Sequence, residues 1–333
     1  MKRTALAALV GAALAVTAVP AFAQFTMKLS SPTINEVSHE WMKAMKESVE
    51  KRTGGKVKVE LYPANQLGQL PAQVEGVALG TIELALPAAG FVVGLEPRFQ
   101  VFEVPGLFDN MEHAGRVFAD PDVRKRLASF GASKGIEPLI TFVNSPLGLL
   151  SHRPVKAVSD FKGLKVRAPG GAPIQMEPFK RLGASPLSMG LGEVLPAMQN
   201  RSIDAMTAGI AAYTTFKFYD VSKNLTVLPG SFLVATGIVN RAWMKSLGPD
   251  LERVVREESA RHEKLFTTWG IEDVGRVEQT WTKNAAPIIR LTGAEADRYL
   301  KETIGASLQI LNANPQMKDD YQAILAAAKK HRR

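Results

Sequence analysis

Cysteine is absent from this chain. That removes disulfide staples, thiolate metal ligands and a cysteine nucleophile. It also excludes a lipoprotein cleavage site. Histidine is scarce: His39, His113, His152, His262 and His331 are the whole set, and no two stand at metal-ligand spacing. No metal and no cofactor are therefore expected. Aromatic residues make up 7% of the chain and do not interleave with a basic stripe, so nucleic acid is excluded as a partner. Phosphate loops are missing too, since Arg167-Ala168-Pro169-Gly170-Gly171 is neither a P-loop nor a dinucleotide fingerprint. After Val19 no apolar run approaches the roughly 20 residues of a membrane span.

What is present begins with an export signal. Lys2 and Arg3 form a positive start, Ala5 to Val19 is uncharged and apolar, and Pro20 breaks the run. Ala21-Phe22-Ala23 fits the small-x-small cleavage pattern, so residues 1–23 read as a cleaved signal peptide and the expected location is the periplasm. About 310 residues remain, enough for two ordinary domains with cores of their own. Lys and Arg number 41 against 32 Asp and Glu, a formal net charge of +9. The two signs alternate along the predicted helices. They read as a solvated surface with weak attraction for anions.

The hydrophobic pattern alternates between strand and helix. Phe25, Met27 and Leu29 share one face of a strand. Val37, Trp41, Met45 and Val49 recur every four residues, an amphipathic helix that Gly54-Gly55 ends. Val57, Val59 and Leu61 predict a strand, 69–79 a helix and 82–86 a strand. The same grammar returns with a strand at 164–167, a helix at 173–182, a strand near 186–188, a helix near 193–200 and a strand at 202–207. Gly80-Thr81-Ile82-Glu83-Leu84-Ala85 even resembles Arg201-Ser202-Ile203-Asp204-Ala205-Met206. Two similar parallel α/β lobes are expected. Leu251, Val255, His262, Phe266, Trp269 and Val277 keep helical spacing through 249–283, long enough to lie along both lobes. Gly270 and Gly275 are possible kinks in it, and His262 on its apolar stripe reads as a core residue. Lys329-Lys330-His331-Arg332-Arg333 reads as a frayed, solvated end.

Enzyme constellations are weak. Gly131-Ala132-Ser133-Lys134-Gly135 matches G-x-S-x-G, but a nucleophile elbow runs from strand to helix. Here a helical stretch at 123–130 precedes and an apolar strand at 139–143 follows, so a helix-to-strand turn is expected and no catalytic residue is assigned.

Several stretches together resemble a known family. They are Tyr62-Pro63-Ala64-Asn65-Gln66-Leu67-Gly68, Leu79-Gly80-Thr81-Ile82-Glu83, and Phe161-Lys162-Gly163-Leu164-Lys165-Val166-Arg167-Ala168-Pro169. Glu193 to Asp204 and Lys217-Phe218-Tyr219-Asp220-Val221 follow in order. The chain resembles the solute receptors of tripartite ATP-independent periplasmic (TRAP) transporters. The resemblance implies an α/β, two-lobe periplasmic-binding-protein fold of type II-like form. Two crossing strands and a long helix would join the lobes around a ligand cleft. Lobe I would hold 25–147 plus 237–270, and lobe II 148–236 plus 271–333. The implied function is capture of a small carboxylate by hinge closure and delivery to the membrane permease subunits, by a monomer. The same fold could instead present ligand to a membrane sensor, or carry a periplasmic enzyme.

The resemblance gives Arg167 the carboxylate clamp, which suits a guanidinium with two parallel N–H donors. Taken alone, Arg167 reads more simply as a surface residue in a solvated ion pair. Asn144 is expected in a crossover strand, as a ligand donor or as a turn residue. Ala89 and Gly90 are small residues after a strand, and Met189, Thr207 and Gly209 sit in loops after lobe II strands. Tyr213 and Phe216 belong to an aromatic cluster that is mostly core, with some member facing the cleft. Many family members carry Asn where Ala208 stands, and a second Arg where this chain reads Pro146-Leu147-Gly148. The expected ligand is thus a monocarboxylate with an aromatic or branched body.

Overall fold

The structure, a computed structural model, describes residues 24–332. The signal-peptide reading falls outside the described residues. Chain order in the first half is β1 (Phe25–Ser30), α1 (Val37–Arg52), β2 (Val57–Tyr62), α2 (Leu70–Leu79), β3 (Leu84–Ala85), α3 (Ala89–Val92), α4 (Met111–Ala119), α5 (Pro121–Leu127) and β4 (Ile136–Ser151). A 3-10 turn at Pro97–Glu103 separates α3 from α4. The second half runs β5 (Lys165–Ala168), α6 (Pro173–Arg181), β6 (Ser185–Ser188), α7 (Leu191–Gln199), β7 (Ala205–Gly209), α8 (Ile210–Thr215) and β8 (Asn224–Asn240). Then come α9 (Arg241–Ser246), α10 (Gly248–Asn284), β9 (Ile289–Arg290), α11 (Gly293–Asn312) and α12 (Pro315–His331).

The strands form one sheet in the order β2-β1-β3-β8-β4-β7-β5-β6, with β9 beside β8. It is two sheets in series. In lobe I, β2, β1 and β3 are parallel and the end of β8 closes them antiparallel. In lobe II, β6, β5 and β7 are parallel and the end of β4 closes them in the same way. β4 and β8 belong to both lobes. They pair antiparallel from Ile136↔Asn240 to Ser151↔Asn224, with register shifts at Val143/Ser145 and Pro146/Gly148. Pro146 offers no N–H to a ladder, so regular pairing weakens where the chain passes between lobes.

The likeness of the two short sequence stretches has a physical cause. Glu83 Oε2 accepts the backbone N–H of Lys28 in β1 at 2.8 Å, and Asp204 Oδ2 accepts that of Lys165 in β5 at 2.8 Å. In each lobe the acid before the third strand pins the first strand in register. Isoleucine before each acid is buried, Ile82 at 6% exposure and Ile203 at 1%.

Apolar faces pack on both sides of the sheet. Met27, Leu29, Val57 and Val59 meet Trp41, Met45 and Val49 of α1, which confirms the four-residue stripe as the buried face. α10 is unbroken over 37 residues, about 55 Å, and runs through Gly270 and Gly275. It puts Phe266 into the lobe I core and Trp281 into the lobe II core. Gly270 serves close approach, since a Cβ there would fall 3.1 Å from Met111 Cε. His262 is buried as expected, with Nε2 3.0 Å from Ser48 Oγ. The G-x-S-x-G string is a short 3-10 turn between left-handed Gly131 and Gly135 that feeds β4, so Ser133 stands on no elbow.

The chain's end departs from expectation. β9 and α11 lie against lobe II, where Ile289 pairs with Thr226 and α11 packs on α6. α12 returns to lobe I and packs on the Pro97–Glu103 turn, α4 and α5. Two buried acids account for this. Asp320 is 0% exposed and is gripped by Arg98 Nε at 2.6 Å and Nη2 at 3.0 Å, and by Arg126 Nη1 at 2.8 Å. Asp120 takes Lys330 at 2.9 Å and His331 at 2.8 Å, which hold its carboxyl well below the usual range. Lys330 and His331 are anchors rather than frayed ends, and Arg332 reaches Asp109. Asp320→Ala would strand the Arg98 guanidinium, whose side chain is 11% exposed, and should cost about 3 kcal/mol in urea unfolding. Asp319→Ala, which removes an acid that is 71% exposed, should cost under about 1 kcal/mol in the same measurement.

Candidate functional site

Strand β5 places Arg167 between β6 and β7, opposite Leu187 and Met206. Its side chain does not reach solvent: the residue is 2% exposed. Two carbonyls from the flanking strand ends hold it. Nε donates to Met189 O at 2.9 Å and Nη1 to Thr207 O at 3.0 Å. Thr207 Oγ1 returns a hydrogen bond to Arg167 O at 3.3 Å. No carboxylate among the described residues lies within ion-pair distance of Arg167, and Nη2 has no partner among them. Burial lowers the guanidinium pKa to about 10, still cationic at neutral pH. A desolvated cation without a counter-ion is costly, and an anion completes it.

Arg167 lines a cavity of about 270 Å³ between the lobes. Lobe I contributes Gln69, Leu70 and Phe91 to its wall; lobe II contributes Met189, Gly209 and Leu233. Ala208 lines it as well, where a larger polar residue would narrow it. The walls are therefore mostly apolar around one fixed positive group. A larger cavity of about 650 Å³ lies between α5 and α12. Its Arg98, Arg126 and Lys330 are already paired with Asp320 and Asp120, so it has far less charge to offer a ligand.

The predicted site residues divide by place. Arg167, Met189 and Gly209 line the cleft together. Ala89 does not: it packs into the lobe I core, and its neighbour Ala88 takes the cleft position. Gly90 faces Gln175 of the opposite lobe. Thr207 is buried and acts through its carbonyl on Arg167, while its side chain borders a smaller cavity of about 40 Å³. Asn144 spends its amide on α1, donating to Glu36 Oε2 at 2.7 Å and Ser38 Oγ at 3.3 Å. Glu36 caps α1 by accepting the N–H groups of Ser38 and His39, so it draws the amide away from the cleft. Tyr213 is 0% exposed among Trp281 and Phe218, and its hydroxyl shares one proton between Gly148 O at 2.8 Å and Met206 O at 3.1 Å. Phe216 stacks edge-on against Phe218 in the lobe II core.

Sequence reasoning missed Gln69, Phe91 and Leu233. Gln69 precedes the proline-started helix α2 and was visible only as a helix boundary. Phe91 follows the small residues that drew attention, and Leu233 lies on β8 where nothing marks it as cleft-facing. Tyr213→Phe should cost about 1 kcal/mol of stability by removing the hydroxyl donor that Gly148 O and Met206 O share. Its affinity for any cleft ligand should stay within about twofold, read by calorimetry, because the hydroxyl points into the core.

Comparison with known proteins fits this arrangement. Residues 30–299 match the family described as bacterial extracellular solute-binding protein, family 7. The chain is 30% identical over 214 residues to the 2,3-diketo-L-gulonate-binding periplasmic protein of Escherichia coli K12, covering 64% of this chain and 65% of that one. That alignment spans just under two thirds of the relative. The chain is 29% identical over 294 residues to the C4-dicarboxylate-binding periplasmic protein of Rhodobacter capsulatus, covering 84% and 87%. A TRAP periplasmic solute-binding protein from Desulfovibrio salexigens, solved with bound orotic acid, superposes with a TM-score of 0.88 at 20% identity, over 93% of this chain and 100% of that one, a likeness of fold. One from Shewanella oneidensis, with bound succinate, superposes with a TM-score of 0.84 at 25% identity, over 92% and 100%.

Proposed function

The chain belongs to the bacterial extracellular solute-binding proteins of family 7, receptors of TRAP transporters and not enzymes, and from that premise we propose that it captures a small organic monocarboxylate in the periplasm and delivers it to a membrane permease. One observation carries this reading: Arg167 is a buried cation whose only hydrogen-bond partners among the described residues are neutral carbonyls. Those carbonyls take Nε and one Nη1 proton, which leaves Nη2 and the second Nη1 proton for a ligand in the cleft that Arg167 lines. Two parallel donors on a fixed plane match the two oxygens of a carboxylate.

The rest of the cleft sets what hangs from that carboxylate. Leu70, Phe91, Ala208 and Leu233 offer no side-chain hydrogen bonds to a ligand. A second carboxylate would meet no second cation there and would face Glu193, and hydroxyls beyond the reach of Thr33, Asn65, Gln69 and Ser188 would be desolvated at about 1–3 kcal/mol each. An aromatic or branched acid loses nothing there. The cavity is below the size usual for drug-like ligands, which fits a small molecule. Contacts come from both lobes, so a ligand favours the closed form over the open one.

Thermal shift tests the substrate class directly. A ligand at about a thousand times its dissociation constant adds about 4 kcal/mol of stability. Aromatic and branched monocarboxylates are expected to raise the melting temperature, and their amides are not. Tight binding of succinate or a sugar acid, with aromatic and branched acids silent, would refute the monocarboxylate reading. Arg167→Ala should weaken the responding acid by at least about a hundredfold, since hydrogen bonds to a charged group are worth about 1.5–3 kcal/mol each. Near-native affinity in that variant would remove Arg167 from the site.

A further inference from the structure

The lobes touch on both sides of the cleft, and each contact sets a glutamine against glycine. On one side Gln69 of lobe I lies against the start of α7: a Cβ at Gly190 would fall 3.3 Å from Gln69 Oε1, and one at Gly192 3.4 Å from Nε2. On the other side Gln175 of α6 reaches across to lobe I. Its amide lies so close over Gly90 that a Cβ there would collide with it. Gly170 completes the contact, where a Cβ would fall 2.7 Å from Gln175 Oε1 and 3.0 Å from Gly90 O. Beyond the amide is Glu103, at the end of the Pro97–Glu103 turn, hydrogen-bonded by the Gln175 side chain and by the Gly90 backbone N–H.

This second contact is short of donors. Glu103 Oε1 and Gln175 Oε1 are both buried and both without a partner. An ionised Glu103 would leave the two acceptors stranded, whereas a protonated one converts an acceptor into a donor. We propose that Gln175 is a cross-cleft latch: its amide, seated on Gly90 and joined to Glu103, holds the lobes together, and the charge state of Glu103 sets how firmly. The latch rests on the reading of the cleft as a site that opens and closes.

The electrostatics agree with the geometry. Burial is the dominant cause that pushes the Glu103 carboxyl up to about 7, against the pull of its two donors, and no charged neighbour contributes. Among the residues lining the small cavity beside it, Tyr299 of α11 is the one other titratable group, and burial holds that phenol neutral at about 12. Arg98, earlier in the same turn, is paired with Asp320 of α12. On α6, Glu177 and Lys180 pair with each other at the surface. A carboxyl whose pKa is raised by closure takes up a proton when the lobes close. Closure is therefore most favoured below the ordinary carboxylate range and weakens as pH rises towards 7.

The absence of cysteine makes the test clean. Lys51→Cys and Lys180→Cys put one spin label on each lobe of the full mature chain, and the label distance reports the closed-to-open ratio without any ligand. That ratio should fall about tenfold or more between about pH 5 and about pH 8. Glu103→Gln should hold it near its acid value at both pH values. Gln175→Ala, and Gly90→Ala by displacing the amide, should lower it at acid pH and flatten the response. The measurement uses protein without any ligand, so a wrong ligand assignment cannot be mistaken for a failed latch. No closed population at about pH 5, equal populations at both pH values, or an undiminished response in Glu103→Gln would each overturn the proposal.

Discussion

β4 and β8 pass from one lobe to the other and hydrogen-bond to each other antiparallel as they go. Everything else is hung on that pair. Each strand begins in one lobe and ends as the antiparallel edge of a three-stranded parallel group in the other. Neither lobe can therefore form its sheet without chain from the other's side of the hinge. The ladder shifts register at Pro138/Ile140 and twice more where the lobes meet, at Val143/Ser145 and Pro146/Gly148, while both ends stay paired; in the proposed cycle the bend would fall at the last two. α10 bridges the same gap as a single helix with one aromatic anchor in each core. In the proposed cycle a joint made of two strands and one helix would restrict motion to opening and closing.

The cleft lies at the carboxyl ends of the parallel strands, and that placement explains how Arg167 survives burial. Near the end of β5 it is flanked by the carbonyl of Met189, one residue past β6, and by that of Thr207 in β7, one residue beyond the last pair with β5. Neutral acceptors orient the guanidinium without cancelling its charge. A carboxylate in their place would give a more stable apo protein and a poorer receptor, since the ligand would have to displace it.

Most of the fold was legible because it is periodic. The four-residue stripe of α1, the alternating β2 and the duplicated helix–acid–strand pattern all report local geometry, and all are found. Glu83 and Asp204 show why the repeat could be read at all: the same backbone N–H needs the same acceptor in each lobe. The return of α12 to lobe I was not legible, because it depends on Asp120 and Asp320 being buried, and burial is a property of the assembled fold. Arg167 was singled out through family resemblance; its residue type and position alone favoured a solvated surface ion pair, and its burial overturns that reading. Asn144 failed as a ligand donor for a similar reason, since its partner Glu36 lies 108 positions away. Gln69, Phe91 and Leu233 carry no pattern that separates cleft from surface or core.

The charges in and around the cleft follow one constraint. In the proposed reading Arg167 neutralises one carboxylate, that of the bound acid. Glu103 is another carboxyl beside the cleft, with no charged neighbour acting on it. An ionised Glu103 buried by closure would carry its desolvation cost without a cation to offset it. Holding Glu103 neutral removes that cost, and the orphaned acceptors around it show that the packing suits the neutral form better. Ligand capture and proton uptake then pull in the same direction, one at each side of the same closing movement.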